Sequence, residues 1–179
     1  MRPVALLLVL LAATLASCAM RPTTSQDPSA AARSGEKPMS STEIGLESPL
    51  LALGARELEA GRVADGMRLT FEGLKRPSPA RDVAAGHANL CAGYILLGRY
   101  DDALPQCDLS IRLDPNNWRA YNNRAAVFSA RGLYELAAQD IETGLKIAPN
   151  SPILLRSLAI IHRDEQLLRE HERRFATDA

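Results

Sequence analysis

The chain repeats itself with a period of 34 residues, and this period restricts its fold more than any other feature. When residues 84–117 are aligned with residues 118–151, seven of the 34 positions are identical. The identical pairs are Asn89 with Asn123, Ala92 with Ala126, Gly98 with Gly132, Tyr100 with Tyr134, Ala103 with Ala137, Pro115 with Pro149 and Asn116 with Asn150. A unit of this length cannot bury an apolar face alone, so we expect neighbouring units to stack.

Within each unit, the sequence predicts two helices joined at the glycine. Residues 84–97 carry an apolar face at helical spacing, and Gly98 ends that helix. Asp101 is placed to cap the second helix, and Pro115 prevents its continuation. The second unit repeats the pattern, with helices at 118–131 and 135–147 around Gly132. The apolar positions are Leu90, Tyr94, Leu97, Ala103, Cys107 and Ile111, then Ala137, Ile141, Gly144 and Leu145.

The sequence on either side extends the array. Residues 46–74 predict a divergent helix pair around Gly61. Downstream, Ser151 is expected to cap a single helix from residue 152 to about residue 175, whose polar tail is typical of a terminal capping helix. Pro105 falls about four residues into its helix, where we expect a local distortion and no break.

The period, the Gly-x-Tyr turn and the closing proline resemble the tetratricopeptide repeat (TPR), a helix–turn–helix unit. The resemblance implies an all-α fold, a right-handed α-solenoid of about three TPR helix pairs and a C-terminal capping helix. The expected units are 46–80, 84–117 and 118–151, followed by the cap at 152–175. The composition, 46% hydrophobic but only 4% aromatic, fits a helical domain better than a β-sandwich.

The N-terminus has the features of a secretion signal. A single basic residue, Arg2, precedes an apolar run that is too short to span a bilayer. The run leads to Leu15-Ala16-Ser17-Cys18, which resembles the lipobox of bacterial lipoproteins. The resemblance implies that residues 1–17 are removed and that Cys18 carries the acyl chains that anchor the protein. A plain secretory signal with a cysteine at its cleavage site is the alternative.

The residues after Cys18 bear on location and reach. In Gram-negative lipoproteins, Asp after the cysteine tends to retain the protein in the inner membrane, and this chain has Ala19. The resemblance therefore implies the periplasmic face of the outer membrane, with an inner-membrane or Gram-positive setting left open. Residues 18–45 are rich in Ser, Thr, Pro and Ala without a periodic apolar face, which predicts a disordered tether.

Charge and motifs argue against several functions. The chain has 21 Lys and Arg against 21 Asp and Glu, so we expect no nucleic-acid partner. Phosphate-binding glycine loops, zinc-protease motifs and nucleophile elbows are absent from the sequence. The three histidines, at 87, 162 and 171, are dispersed. We therefore expect no enzymatic activity, no cofactor and no metal site.

Cys91 and Cys107 are expected to face each other within one helix hairpin. Because packed helices usually lie 8–10 Å apart, two reduced, buried thiols are the favoured interpretation. A disulfide, which an oxidising periplasm would permit, is one alternative. A metal site that includes His87 is the other.

The TPR resemblance also implies a concave groove lined by the first helix of each unit. The groove residues it implies are Asn89, Ala92, Ile95, Leu96, Arg119, Asn122, Asn123, Ala126, Ser129, Arg156, Ile160 and Arg163. Chaperone-binding members use a two-carboxylate clamp, but Ala88, Ala92, Ile153 and Ser157 occupy its positions here. Recognition of a chaperone tail is therefore not expected, and simple solvation of the polar groove residues remains the alternative to binding.

These features together predict a non-catalytic scaffold or adaptor at the bacterial envelope. The layout resembles assembly lipoproteins of type IV or Flp pili and secretion systems. It also resembles adaptor lipoproteins that bring peptidoglycan enzymes or a protease to the envelope. Self-association to a homodimer is a third hypothesis, because the first helix is rich in leucine. Those leucines are Leu46, Leu50, Leu51, Leu53 and Leu58.

Overall fold

The computed structural model of the protein describes residues 48–177, with side chains to residue 174. This part of the chain is all-α, as predicted. Its helices are α1 (Pro49–Glu59), α2 (Val63–Leu74), α3 (Ala80–Leu96), α4 (Tyr100–Leu113), α5 (Trp118–Ala130), α6 (Tyr134–Ile147) and α7 (Pro152–Thr177). The predicted signal peptide, the lipidated Cys18, the tether and Leu46 lie outside the described residues.

Each predicted turn between paired helices is built on a glycine with a positive φ. Gly61, Gly98 and Gly132 have φ values of 76°, 70° and 74°, a region that only glycine enters without strain. After Gly98, the Arg99 amide donates to the carbonyl oxygen of Tyr94 at 2.9 Å, which satisfies the end of α3. The predicted helix pairs are thus joined where the repeat places its glycines.

Helix α3 begins at Ala80, four residues before the predicted start. Asp82 is buried in its first turn, and its Oδ2 accepts a hydrogen bond of 2.8 Å from the Ser48 amide. The Pro79 carbonyl accepts from the amides of Asp82 and Val83 at 2.9 and 3.0 Å. The helix start predicted at residue 84 is therefore one turn late, and the added turn carries a contact with a residue 34 positions away.

The predicted cap at Asp101 is wrong. Helix α4 begins at Tyr100, so Asp101 lies in its first turn, where it pairs with Arg131. An acid in the first turn still interacts favourably with the positive end of the helix. Helix α4 continues unbroken through Pro105, as expected. The predicted cap at Ser151 is confirmed, since its Oγ accepts from the Leu154 amide at 3.4 Å.

The helices pack as successive antiparallel pairs. Helices α1 and α2, α3 and α4, and α5 and α6 form the three pairs, and each second helix also contacts the first helix of the next pair. The first helices α1, α3, α5 and α7 contact one another in order along the array. They form one layer, which positions the candidate site. No helix between residues 48 and 177 is long and apolar enough to cross a membrane.

Cys91 and Cys107 form a disulfide between α3 and α4, in place of the two free thiols favoured from the sequence. Their Cα atoms are 5.4 Å apart, well inside the range that a disulfide requires. The helices approach this closely because small residues line their contact: Ala84 and Ser110 are fully buried, and Ser110 Oγ donates to the Ala84 carbonyl at 2.8 Å. The usual helix separation therefore does not apply to this pair.

In the divergent first pair, α1 and α2 contact each other through two glycines, Gly54 and Gly66. A Cβ atom built on Gly54 of α1 would lie 3.0 Å from the Gly66 carbonyl oxygen of α2, and one on Gly66 would lie 2.9 Å from the Gly54 carbonyl. Thr70, fully buried, bonds within α2 by donating to the Gly66 carbonyl at 2.7 Å. Two glycines thus do here what the small Ala of the repeat does elsewhere. The pair keeps the shape of a repeat unit without its sequence.

Candidate partner-binding groove

A ladder of side-chain hydrogen bonds joins the first helices of the array. Asn89 Nδ2 donates to the Leu51 carbonyl at 2.9 Å, and Asn123 Nδ2 donates to the Ala88 carbonyl at 3.1 Å. Between α5 and α7, Ser157 Oγ donates to Asn122 Oδ1 at 2.8 Å. The steps link residues 38, 35 and 35 positions apart, close to the repeat period. The ladder fixes the spacing of the layer that forms the groove.

This ladder changes the role predicted for the groove asparagines. Asn89 and Asn123 were expected to bond a bound peptide, but each already uses its amide nitrogen to hold the preceding first helix. Each amide keeps a second donor hydrogen and an acceptor oxygen that are not used in this bond. The primary role that the structure gives them is to join repeats.

One predicted groove residue is not on the surface. Ile95 is 9% exposed and belongs to the core cluster of Cys91, Ala103, Cys107 and Val127. The other small and apolar positions of the groove are half-buried. They are Ala92, Leu96, Ala126 and Ser129.

A cleft of about 460 Å³ opens where α5 and α7 begin. Trp118 and Arg119 form one wall, and Pro152 and Ile153 form the other, with residues 148–151 between them. The Arg119 guanidinium lies over the Trp118 ring, 4.5 Å from its centroid. The cleft is mainly apolar and has one exposed cation at its edge, which suits an apolar side chain accompanied by an acidic one.

From this cleft, an open row of side chains runs along α7. Ile153, Arg156, Ile160, Arg163 and Leu167 follow one another at alternating steps of three and four residues, so they share one face of the helix. Ser157, beside Arg156, contacts Asn122 of α5, so this face borders the groove. Ile153 and Leu167 are 52% and 57% exposed. Ile153 and Leu167 were not assigned to the groove as binding residues from the sequence. Their spacing of seven residues from Ile160 could have indicated them.

Arg124 is a structural residue that the sequence analysis missed. It donates two hydrogen bonds to Asp140, at 2.7 and 2.8 Å, and one to Asp108 at 2.8 Å. The hydrogen bonds that Arg124 donates to Asp140 raise the pKa of its guanidinium further above the ordinary value. The alignment of the two units could have indicated this role. Arg124 stands where the preceding unit has the apolar residue Leu90, so a charged side chain at this position needs a partner.

The described residues offer little for chemistry. No group of three or more His, Cys, Asp or Glu side chains between residues 48 and 174 is arranged to hold a metal ion. His87, considered above as a metal ligand, instead shares a hydrogen bond of 2.8 Å with Gln106.

Several solved structures of TPR domains have this fold. The first TPR domain of human RPAP3 matches with a TM-score of 0.56 and 23% identity, over 64% of this chain and 88% of that one. The Hsp90 co-chaperone Cns1 of Saccharomyces cerevisiae matches with a TM-score of 0.63 and 22% identity, over 72% of this chain and 42% of that one. The first TPR of Spaghetti (RPAP3), bound to the HSP90 peptide SRMEEVD, matches with a TM-score of 0.54 and 22% identity, over 64% of this chain and 88% of that one. The expected TPR fold is therefore confirmed.

Among curated proteins, sperm-associated antigen 1 of Mus musculus is 27% identical to this chain over 89 residues. The matched region covers 50% of this chain but only 10% of the mouse protein. No family model matches the chain.

Proposed function

We propose that the protein is a non-catalytic adaptor of the bacterial envelope, anchored by acyl chains on Cys18 to the periplasmic face of the outer membrane. It binds partner proteins through its concave surface. The observation that carries the proposal is the row on α7, in which Ile153 and Leu167 are 52% and 57% exposed, together with the adjoining cleft at Trp118. TPR domains of the same fold include one bound to a peptide, which supports a protein-binding role.

The disulfide supports the proposed compartment. Disulfides persist in the periplasm and outside the cell but are rare in the cytosol, where thiols are kept reduced. A buried Cys91–Cys107 bond is therefore what an exported protein would have. It agrees with the signal-peptide features of residues 1–17, which are independent of it.

The partner is an envelope protein and not a chaperone tail. Spaghetti (RPAP3) holds an HSP90 peptide that ends in EEVD. In the present chain, Ala88 and Ser157 stand at clamp positions, and Ser157 is buried and bonded to Asn122. The partner classes that fit the proposed location are pilus or secretion components and peptidoglycan enzymes.

The anchor is tested by replacing Cys18. The unchanged chain should enter the outer-membrane fraction, and mass spectrometry of its first peptide should show acyl chains on Cys18. The C18S variant should be recovered without lipid, either uncleaved or soluble. If the unchanged chain is also soluble and unmodified, the lipoprotein part of the proposal is wrong.

The binding surface is tested by crosslinking in cells, followed by capture of the protein and mass spectrometry. Ala92→Arg and Ser129→Arg place bulk and charge on the concave side, whereas Ala64→Arg makes the same kind of change on an exposed position of α2. We expect partners to be lost in the first two variants and kept in the third, with all three folded by circular dichroism. Equal recovery from all three would exclude the concave surface.

A further inference from the structure

The row on α7 alternates apolar and cationic side chains, all exposed except Ile160, which is half-buried. Ile153, Ile160 and Leu167 are seven residues apart, and Arg156 and Arg163 lie between them, also seven residues apart. Seven residues of helix span about 10.5 Å, so the row extends for about 21 Å along one face. We call these five residues the α7 stripe. Its spacing is that of a helix seam made to contact another helix.

Two of the three cations of this region, Arg119 and Arg156, have no acidic partner among the described residues. Helix α5 contains no acidic residue, and α7 has none from Pro152 to Arg163. Within residues 48–174, Arg119 contacts the Trp118 ring and forms no ion pair, and Arg156 forms none either. Arg163 pairs with its neighbour Asp164 at 2.9 Å. The protein as a whole has no net charge, so this is a local positive surface.

We propose that the α7 stripe and the adjoining Trp118–Arg119 cleft bind an amphipathic helix of a partner protein, whose contacting face alternates apolar and acidic residues at heptad spacing. This inference rests on the proposed function and names the kind of partner. The partner's apolar residues pack against Ile153, Ile160 and Leu167. Its acids face Arg156 and Arg119, where opposite charges give the complex its orientation.

The charge of the stripe distinguishes this occupant from two others. A second copy of α7 on the same face would bring Arg156 and Arg163 against the same cations, which opposes self-association there. A flat membrane surface does not fit a row that borders the concave side, although anionic lipid would suit its charge. Both alternatives are therefore included in the test.

The test uses the purified full chain and Trp118, its single tryptophan, as the fluorescent reporter of the cleft. The probe is an acetylated, amidated helical peptide of about 18 residues, long enough to cover the stripe, with Leu and Glu alternating on one heptad face. The matched probe has Gln in place of each Glu. We expect saturable binding of the acidic probe and affinity lower by about fivefold or more for the Gln probe.

Two variants and one matched control locate the contact. Arg156→Gln should weaken the acidic probe and leave the Gln probe unchanged, whereas Ile153→Ser should weaken both. Leu155→Ser is the control, because Leu155 lies on another face of α7 and is 52% exposed, as Ile153 is. It should bind both probes as the unchanged protein does.

The inference is overturned if neither probe binds, if both bind equally, or if Arg156→Gln has no effect. It is also overturned if phosphatidylglycerol vesicles bind the chain through Arg156 and the acidic probe does not compete, or if light scattering shows self-association that Arg156→Gln alters. If partner capture still depends on Ala92 and Ser129 but no probe binds, this inference is wrong and the adaptor function is retained. If neither partner capture nor probe binding is observed, the inference and the adaptor function are both wrong.

Discussion

Cys91 and Cys107 lie on neighbouring helices with their Cα atoms 5.4 Å apart, joined by a disulfide whose two residues are fully buried. The bond closes a loop with a sequence separation of 16 residues. By loop-closure entropy, removing it should lower the free energy of unfolding by about 3 kcal/mol. Urea unfolding with and without a reductant measures this effect. The double variant Cys91→Ala/Cys107→Ala should match the reduced protein and be insensitive to reductant, whereas an oxidised protein that is no more stable would contradict the bond.

The ion pair of Arg124 with Asp140 predicts a specific loss and recovery of stability. Arg124→Leu leaves the Asp140 carboxylate, 8% exposed, without its partner, so the free energy of unfolding should fall by about 3 kcal/mol. Leu90 and Gln106 occupy the equivalent positions in the preceding unit. The double variant Arg124→Leu/Asp140→Gln should therefore recover most of the loss in a urea titration. A double variant as unstable as the single one would mean that Arg124 acts mainly through Asp108.

The contact of Gly54 with Gly66 predicts that the first pair tolerates no added methyl group. Gly54→Ala should lower the free energy of unfolding by about 3 kcal/mol, because part of the obstacle is the Gly66 backbone, which cannot move aside. Gly61→Ala is the comparison: no atom lies within 4 Å of its Cβ position, so only its φ of 76° opposes the change, at about 1–2 kcal/mol. Thermal unfolding of both variants would show whether Gly54 is the more sensitive position.

The hydrogen bond from Asn123 to the Ala88 carbonyl predicts a structural effect at a position expected to bind peptide. Asn123→Ala should lower the free energy of unfolding by about 1 kcal/mol, the usual net value of such a bond. Asn116→Ala, on an exposed turn, should have almost no effect. Urea unfolding of the two variants separates the cases. Equal stability would return Asn123 to the role of a free groove residue.

Tyr134 predicts a pH dependence on the alkaline side. Burial, and secondly the charge of Asp164, raise the pKa of Tyr134 above its ordinary value of about 10. The unfolded chain therefore loses this proton first. The contribution to stability is complete below that ordinary pKa and is lost as the pH rises through the native pKa. Ultraviolet titration should show a phenol that ionises above its ordinary pKa and is missing in Tyr134→Phe, and a variant with an unchanged alkaline end of the titration curve would contradict the prediction.

The helices could be predicted from the sequence because their signals are local. Gly98 and Gly132 need a positive φ, and apolar residues at helical spacing identify each helix between such turns. The start of α3 was predicted one turn late, because the polar Asp82 does not extend the apolar face, whereas in the structure it is buried and bonded to Ser48, 34 residues away. The cap expected at Asp101 failed for a related reason: the turn at Gly98 is completed by Arg99, and the helix begins at once.

The side-chain pairs that join the two helices of a hairpin could not be predicted from the sequence. Cys91 with Cys107 and Arg124 with Asp140 are both separated by 16 residues, which is the spacing that a hairpin of these helices brings together. An average helix separation would keep the two cysteines apart, whereas the small residues Ala84 and Ser110 bring α3 and α4 closer together here. The groove layer itself was predicted, but not that its asparagines hold the layer together.

The position of Ser48 has a consequence for how a partner would be presented. Its amide is bonded to Asp82, so the chain enters the array beside α1 and α3, whereas the α7 stripe lies on the last helix. The partner would therefore be bound at the opposite end of the array from the point where the chain enters it. Inserting or deleting one whole helix pair would then change the distance between Ser48 and the α7 stripe by one repeat, while the stripe itself stays intact.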